Sequence, residues 1–376
     1  MRAVGRPGPS YNELKERALE SEPPQEFFGT TAMLKIEYDK PLDALTTFHL
    51  RSDAEAWVEV DSIEGVRGTV AEAKRRGWPL TVLGGGSNVV PMSRVPGLVL
   101  HPAFKGIKEA QITDDAVVLA VGAAESLDGL VRHAVEHGLG GIENLAAIPG
   151  SVGGAVVQNA GAYGVEIAER VVWVKVYDPQ IDEVRTLSMA ECDFGYRTSF
   201  FKQEAGRSLL IVEVGLAFPK AWTPATGYKG LSQIFEGRIP ETVKPEEVEA
   251  AVRKLRAQKL PDPAVTGSAG SFFKNPVVTK LKARELITLH PRLVFYALAG
   301  GRAKLAAGWL IEEAGLKGLT EGGAGVWPAH ALILVNRGGA TGEDVLKLGR
   351  EIADRVERRF GVELEPEPVF LGASFR

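Results

Sequence analysis

The chain has 376 residues, of which 45% are hydrophobic and 24% charged, and its formal net charge is −4. That length exceeds one hydrophobic core and predicts two or three domains meeting at a cleft, while the near-neutral balance leaves no electrostatic footprint for nucleic acid. A single cysteine, Cys192, excludes an internal disulfide framework, and the chain shows neither an apolar run of about 18 residues nor a signal-peptide core, so a cytoplasmic protein with no membrane partner is expected.

Residues 1–33 carry few large apolar groups and four prolines, Pro7, Pro9, Pro23 and Pro24, which predicts a loose extension, with Met33 a candidate functional start. Patterning begins at Leu34. Ala56–Val60 alternates as a strand, Glu64–Arg76 is an amphipathic helix, and Leu80–Leu83 is an apolar strand, together a small α/β subdomain. That third strand delivers Gly84-Gly85-Gly86-Ser87-Asn88, where successive amide N–H groups form a concave nest for an anion. Val117–Val121 reads as a strand and Leu127–His137 as a helix closed by Gly138. Within that helix His133, Glu136 and His137 match a short zinc-peptidase pattern. No third ligand presents itself, so a solvated helix face is the preferred reading and no metal is expected.

Glycine then occupies five of the sixteen positions from Pro149 to Gly164. Such a stretch buries little apolar volume, and it lets a flat or charged ligand approach the peptide plane. The alternative is an ordinary glycine-rich turn. Neither glycine stretch has the spacing of a P-loop or of a Rossmann fingerprint.

Val171–Val176 and Ser208–Phe218 are strand-like and bracket Phe194-Gly195-Tyr196-Arg197-Thr198-Ser199-Phe200-Phe201-Lys202. An arginine among aromatics demands a partner, either a carboxylate such as Asp193 or an anionic ligand. Pro219–Pro240, with Gly227-Tyr228-Lys229-Gly230, reads as a flexible excursion able to fold over a ligand. A helix follows over Pro245–Leu260, whose Arg253, Lys254, Arg256 and Lys259 either complement the helix dipole or grip phosphate. Gly267–Pro276 places Ser271, Lys274 and Asn275 around two phenylalanines, the composition of a site lining. Lys304–Ala314 is expected as a helix, Ala331–Val335 as a buried strand, and Thr341–Phe360 as a long helix with Val345, Leu348, Ile352, Val356 and Phe360 on one side and Gly361 as its stop. In the extended tail, Glu363, Glu365 and Glu367 alternate and are expected on one face, which is either solvent or an active site.

From Leu45 onward these motifs occur in one order: LGGGSNVV, GIENLAAIPGSVGGAVVQNAGAYGVE, FGYRTSFFK, KLPDP, GSAGSFFKNP, KLAAGWLIEEAGLKG and LEPE. The chain in this respect resembles the UDP-N-acetylmuramate dehydrogenase family, flavoenzymes that complete the muramic acid precursor of peptidoglycan, in the longer of the family's two forms with a mobile tyrosine loop. The resemblance implies a three-domain α+β and α/β architecture: a two-subdomain FAD-binding module of the vanillyl-alcohol-oxidase type (34–103 and 104–219), an α/β substrate-binding domain (220–361), and a tail (362–376) returning to the active site.

By the same resemblance, FAD is held by Gly84, Gly85, Gly86, Ser87, Asn88, Pro149, Gly150, Ser151, Gly153, Gly154, Gln158, Asn159, Gly161, Ala162 and Tyr163. Arg197, Ser271 and Glu367 are implied as catalytic, with Ser271 the proton donor, and Tyr196, Tyr228, Lys259, Lys274, Asn275 and His330 as contacts for UDP-N-acetylglucosamine enolpyruvate. His330 stands where some members have glutamine. NADPH is the implied hydride donor and a monomer the implied state. The roles suit the residue types: charge develops on the substrate carboxylate during reduction, which Arg197 and Glu367 stabilise, and a positioned hydroxyl delivers a proton to the carbanion-like carbon. Two other readings remain, a flavin oxidoreductase of the same fold acting on sugars or hydroxy acids, and a non-catalytic UDP-sugar-binding protein.

Overall fold

Runs of Val, Leu and Ile long enough to be buried on both faces generate the first sheet. The computed structural model describes residues 34–375, so the extension expected at 1–33 lies outside the described residues. The chain divides into two compact units, the first comprising 34–36, Trp57–Gly85 and Leu98–Arg256, the second Glu37–Ala56, Gly86–Gly97 and the chain from Ala257 onward.

In the first unit β1 (Ile107–Ile112), β2 (Ala116–Gly122), β3 (Val171–Asp178), β4 (Glu183–Ser188) and β5 (Leu210–Pro219) form a five-stranded sheet in the order β4-β3-β5-β2-β1, antiparallel throughout. One face packs Leu119, Val121, Val174, Val176, Val214 and Leu216 into the main core, and the other packs Val118, Ala120, Val172, Trp173 and Ala217. Burial on both faces explains the near-continuous apolar strands. Helix α1 (Ile63–Arg76) starts at Ser62, whose hydroxyl accepts the Gly65 N–H, and stops at left-handed Gly77. The same logic starts α2 (Leu127–Glu136) at Ser126 and the short α3 (Val152–Gln158) at Ser151, and both helices pack onto the main core beside α4 (Pro245–Lys259).

The second unit is built on β6 (Ser268–Ser271), β7 (Thr320–Glu321), β8 (Ala324–Val326) and β9 (Ile333–Asn336), in the order β6-β9-β8-β7. The predicted stripe of the long helix, here α6 (Gly342–Phe360), is buried against Phe272, Leu310 and Leu334. Thr341 and Asp344 form its capping box and Gly361, at φ 60°, its left-handed stop.

Two expectations are corrected. The segment expected as a single helix over 304–314 is a strand, Arg302–Leu305, followed by α5 (Ala307–Glu313). Ala303 and Leu305 point inward with period two, and the strand pairs on both edges, with Val277–Thr279 and with Phe295–Leu298, so ladder hydrogen bonds override helix propensity. The tail is a strand only at Val369–Leu371, parallel to Val89–Pro91. Val362 and Leu364 are buried while Glu363 and Glu365 are exposed and Glu367 is half-buried, and Phe273 bridges Pro366 between the bonds from Lys274 N–H to Glu365 O and from Glu367 N–H to Phe272 O. Pro366 and Pro368 have no N–H to contribute to a ladder.

Two stability outcomes follow. Gly215 lies opposite Trp173 across the β3/β5 ladder, and a Cβ there would collide with the Trp173 indole at Cε2. Gly215→Ala is expected to cost about 1–3 kcal/mol in urea unfolding, with part regained in Gly215→Ala/Trp173→Val. Cys192 is fully buried, and burial pushes its thiol up to about 12. A thiol-reactive disulfide reagent is therefore expected to leave the native protein unlabelled and to modify it only in denaturant.

Candidate active site

In the first unit the two glycine stretches meet backbone to backbone. Gly85 N–H donates to Ser151 Oγ at 3.3 Å, the same hydroxyl that accepts the Gly154 N–H to start α3. A Cβ on Gly85 would lie 2.6 Å from Gly150 Cα, and one on Gly84 would lie 2.8 Å from Ser151 Oγ. No side chain fits at Gly85, where the clash is with backbone, and one at Gly84 would have to displace the Ser151 hydroxyl. Gly153 abuts Ala123, whose Cβ would lie 3.0 Å from a Cβ added to the glycine. Gly154 and Gly164 instead leave the main chain open, with nothing nearer to an added Cβ than Ser151 Oγ at 3.3 Å and Tyr228 Cβ at 4.0 Å respectively.

Ala147, Asn159, Tyr163 and Arg197 all hold positive φ, at 57°, 45°, 49° and 55°. Left-handed conformations in non-glycine residues persist only where surrounding bonds over-determine them. Asn159 shows how: it ends α3, is 1% exposed, and its amide donates to Glu166 Oε2 at 2.8 Å and to Gly195 O at 2.9 Å. That second bond ties the FGYR turn to the glycine loop. Arg197 Nη2 then donates to Gly161 O at 2.8 Å, its guanidinium lies 5.3 Å from the Tyr196 ring, and Lys202 Nζ reaches Gln158 Oε1 at 2.8 Å and Arg197 O at 3.3 Å. Asp193, the carboxylate considered for Arg197, accepts from Gln203 Nε2 at 2.6 Å. Gly161 and Ala162 pair with Glu166 and Val165 in a small hairpin, and the Tyr163 ring meets Tyr228 edge-on at 5.4 Å. Burial raises the Tyr163 phenol, with the nearby Arg256 cation opposing.

In the second unit the fold brings Ser271 and Glu367 together. Ser271 ends β6, and Glu367 N–H donates to the carbonyl of the next residue, Phe272, at 2.8 Å. Asn88 holds the far side of Glu367, its Nδ2 donating to Glu367 O at 3.2 Å, while Val369 N–H donates to Asn88 O at 3.0 Å. Gly86, at φ 61°, approaches Leu45 O, and the Ser87 carbonyl accepts from Thr47 Oγ1 at 3.4 Å. Lys274 pairs with Glu365 at 2.9 Å, and Asn275 Oδ1 caps α5 by accepting the Ala307 N–H at 2.9 Å. His330 is held below the ordinary histidine range, first by burial and then by the Lys259 and Lys317 charges. Its Nδ1 accepts the Leu332 N–H at 3.3 Å.

Sequence reading missed Glu143 and Asn144. Both are almost fully buried. Burial raises the Glu143 carboxyl, opposed by hydrogen bonds that include the Gly141 N–H and the Trp222 indole. Their signal was a charged–amide pair between Ile142 and Leu145, polar groups inside an apolar run.

The family model for the C-terminal domain of UDP-N-acetylenolpyruvoylglucosamine reductase matches residues 262–371, and one for an FAD binding domain matches residues 54–186. The UDP-N-acetylenolpyruvoylglucosamine reductase of Chromobacterium violaceum is 43% identical over 341 residues, covering 90% of this chain and 99% of that protein. The chain belongs to this reductase family. The Neisseria meningitidis reductase is 42% identical over 347 residues, 91% of this chain and 99% of its own. The crystal structure of the reductase from Thermus caldophilus matches with a TM-score of 0.62 at 27% identity, over 90% of this chain and 98% of that one. The fold is therefore an FAD-binding domain of the vanillyl-alcohol-oxidase type joined to the C-terminal domain of the reductase family. FAD fits the first unit of this reductase, because the matched FAD domain contains both glycine stretches and these leave main chain uncovered at Gly154 and Gly164.

Gly85→Ala is expected to force the two stretches apart and to lower flavin affinity by about tenfold or more, roughly 1.4 kcal/mol. Loss of the visible flavin band on gel filtration, against retention by wild type, checks it.

Proposed function

We propose that the chain reduces UDP-N-acetylglucosamine enolpyruvate to UDP-N-acetylmuramate with NADPH, supplying a peptidoglycan precursor from the cytoplasm. Family membership supports the overall reaction. The observation that supports the residue assignment is the bond from Glu367 N–H to Phe272 O at 2.8 Å, which sets the Glu367 backbone against the residue that follows Ser271, the only hydroxyl of the GSFF turn.

Bound FAD, reduced by NADPH, supplies the hydride for the enolpyruvyl double bond. What the chain adds is orientation and electrostatics. Arg197 offers a fixed cation, pinned through Gly161 O, to the carboxylate on which negative charge builds. A cation already in place requires no reorganisation as that charge develops. Ser271 donates its hydroxyl proton to the carbon next to that carboxylate. A serine hydroxyl is a very weak acid, yet the carbanion-like centre is a far stronger base, so position decides the transfer. Glu367, clamped on both sides of its peptide, supports the same developing charge. Tyr228, Lys259, Lys274 and Asn275 are assigned to the UDP-sugar, with Tyr228 and Lys259 on its diphosphate. Tyr196 and His330 complete the substrate set, His330 as a neutral acceptor or donor given its lowered pKa.

An anaerobic titration tests the reading. NADPH is expected to bleach the flavin band, and UDP-N-acetylglucosamine enolpyruvate to restore it stoichiometrically. Recovery with oxygen alone would instead identify an oxidase. Ser271→Ala is expected to keep NADPH-driven bleaching and to slow recovery by about 10²–10⁴-fold, and Arg197→Lys to slow recovery by about 10²–10³-fold. Equal loss of both half-reactions in Ser271→Ala would refute its assignment as proton donor.

A further inference from the structure

The segment that carries Tyr228 is tethered at a defined point. Asn144 is fully buried, and both hydrogens of its amide are committed: Nδ2 donates to Ala225 O at 2.9 Å and to Tyr163 O at 2.9 Å. An amide nitrogen has two hydrogens and no more to give. Its neighbour Glu143 holds the same segment three residues earlier, accepting the Trp222 indole N–H at 3.2 Å. Trp222 is itself seated against Gly140, where an added Cβ would lie 2.5 Å from the indole ring. On the other side of Tyr228, Leu231 is fully buried in the main core of the first unit.

Only residues 226–230 lie between these anchors, and they include Gly227, where an added Cβ would meet nothing within 4 Å, and Gly230 at φ 102°. Three residues extended span about 10 Å. Tyr228 is therefore confined within a short reach of the carbonyl that Asn144 holds. The same amide grips Tyr163, whose ring is the edge-on partner of Tyr228.

We infer that Asn144 is a positioning residue for substrate binding: it fixes the origin of the Tyr228 segment relative to the glycine loop and so limits the conformations lost when Tyr228 closes on the UDP-sugar. The inference rests on the assignment of Tyr228 to that sugar nucleotide. Ordering a short, pre-anchored segment costs less than ordering a free one, so the effect falls on KM. The glycine loop keeps its own ladder, Gly161 with Glu166 and Ala162 with Val165, so flavin chemistry is spared.

The test is a double-mutant cycle on the FAD-loaded enzyme with Asn144→Asp, which replaces a donor by an acceptor, and Tyr228→Ala. Asn144→Asp is expected to raise KM for UDP-N-acetylglucosamine enolpyruvate by about tenfold, with NADPH-driven flavin bleaching within about twofold of wild type. In the Tyr228→Ala background the same change is expected to raise KM no further. Full additivity, or an equal loss of the NADPH half-reaction, overturns the inference while leaving Tyr228 a substrate contact. An unchanged KM in Tyr228→Ala alone removes that assignment, and the inference with it. If Asn144→Asp does not fold, Trp222→Phe releases the same segment through Glu143 and is read by the same cycle, with the same outcomes deciding.

Discussion

The approach of Gly85 to Gly150 leaves no room for a side chain, and much of the first unit follows from that. Two loops that touch through their backbones need a bridge made of something small, and the Ser151 hydroxyl serves by accepting Gly85 N–H while capping α3. Helix α3 is thereby aimed with its far end at Asn159. That residue, in a left-handed conformation, bonds Gly195 and so delivers Arg197 to Gly161. The Arg197 guanidinium is thus oriented through the Gly161 carbonyl.

The second unit solves a different problem. Ser271 and Glu367 come from opposite ends of its sequence and must be placed by long-range bonds. One peptide hydrogen bond to Phe272 and one side-chain bond from Asn88 fix Glu367 from both sides. The aromatic cluster of Phe272, Phe273, Phe370 and Phe375 packs edge-on beneath that turn. Packing of this kind holds the Ser271–Phe272 turn in one place.

Polar burial is concentrated where loops need to be held. Glu143 and Asn144 are costly to desolvate, yet together they hold Trp222, Ala225 and Tyr163. Asn144 Oδ1 is buried without a hydrogen-bond partner, a penalty of about 1–3 kcal/mol. A leucine there would remove that penalty and release both carbonyls.

Local rules determined much of this protein from its sequence alone. The stripe on α6, its stop at Gly361, the serine caps and the buried strands of the first sheet depend only on residues within a turn or two of each other, and the order of motifs from LGGGSNVV to LEPE was enough to indicate the family. Tertiary structure alone decided the rest. Arg302–Leu305 is a strand because two other strands flank it, the Glu367 peptide is fixed because Phe272 and Asn88 bond it from two sides, and Asn144 is a clamp because Tyr163 and Ala225 arrive beside it. Periodicity records which side of an element is buried. The partner of a hydrogen bond made across many residues is set only when the chain closes on itself.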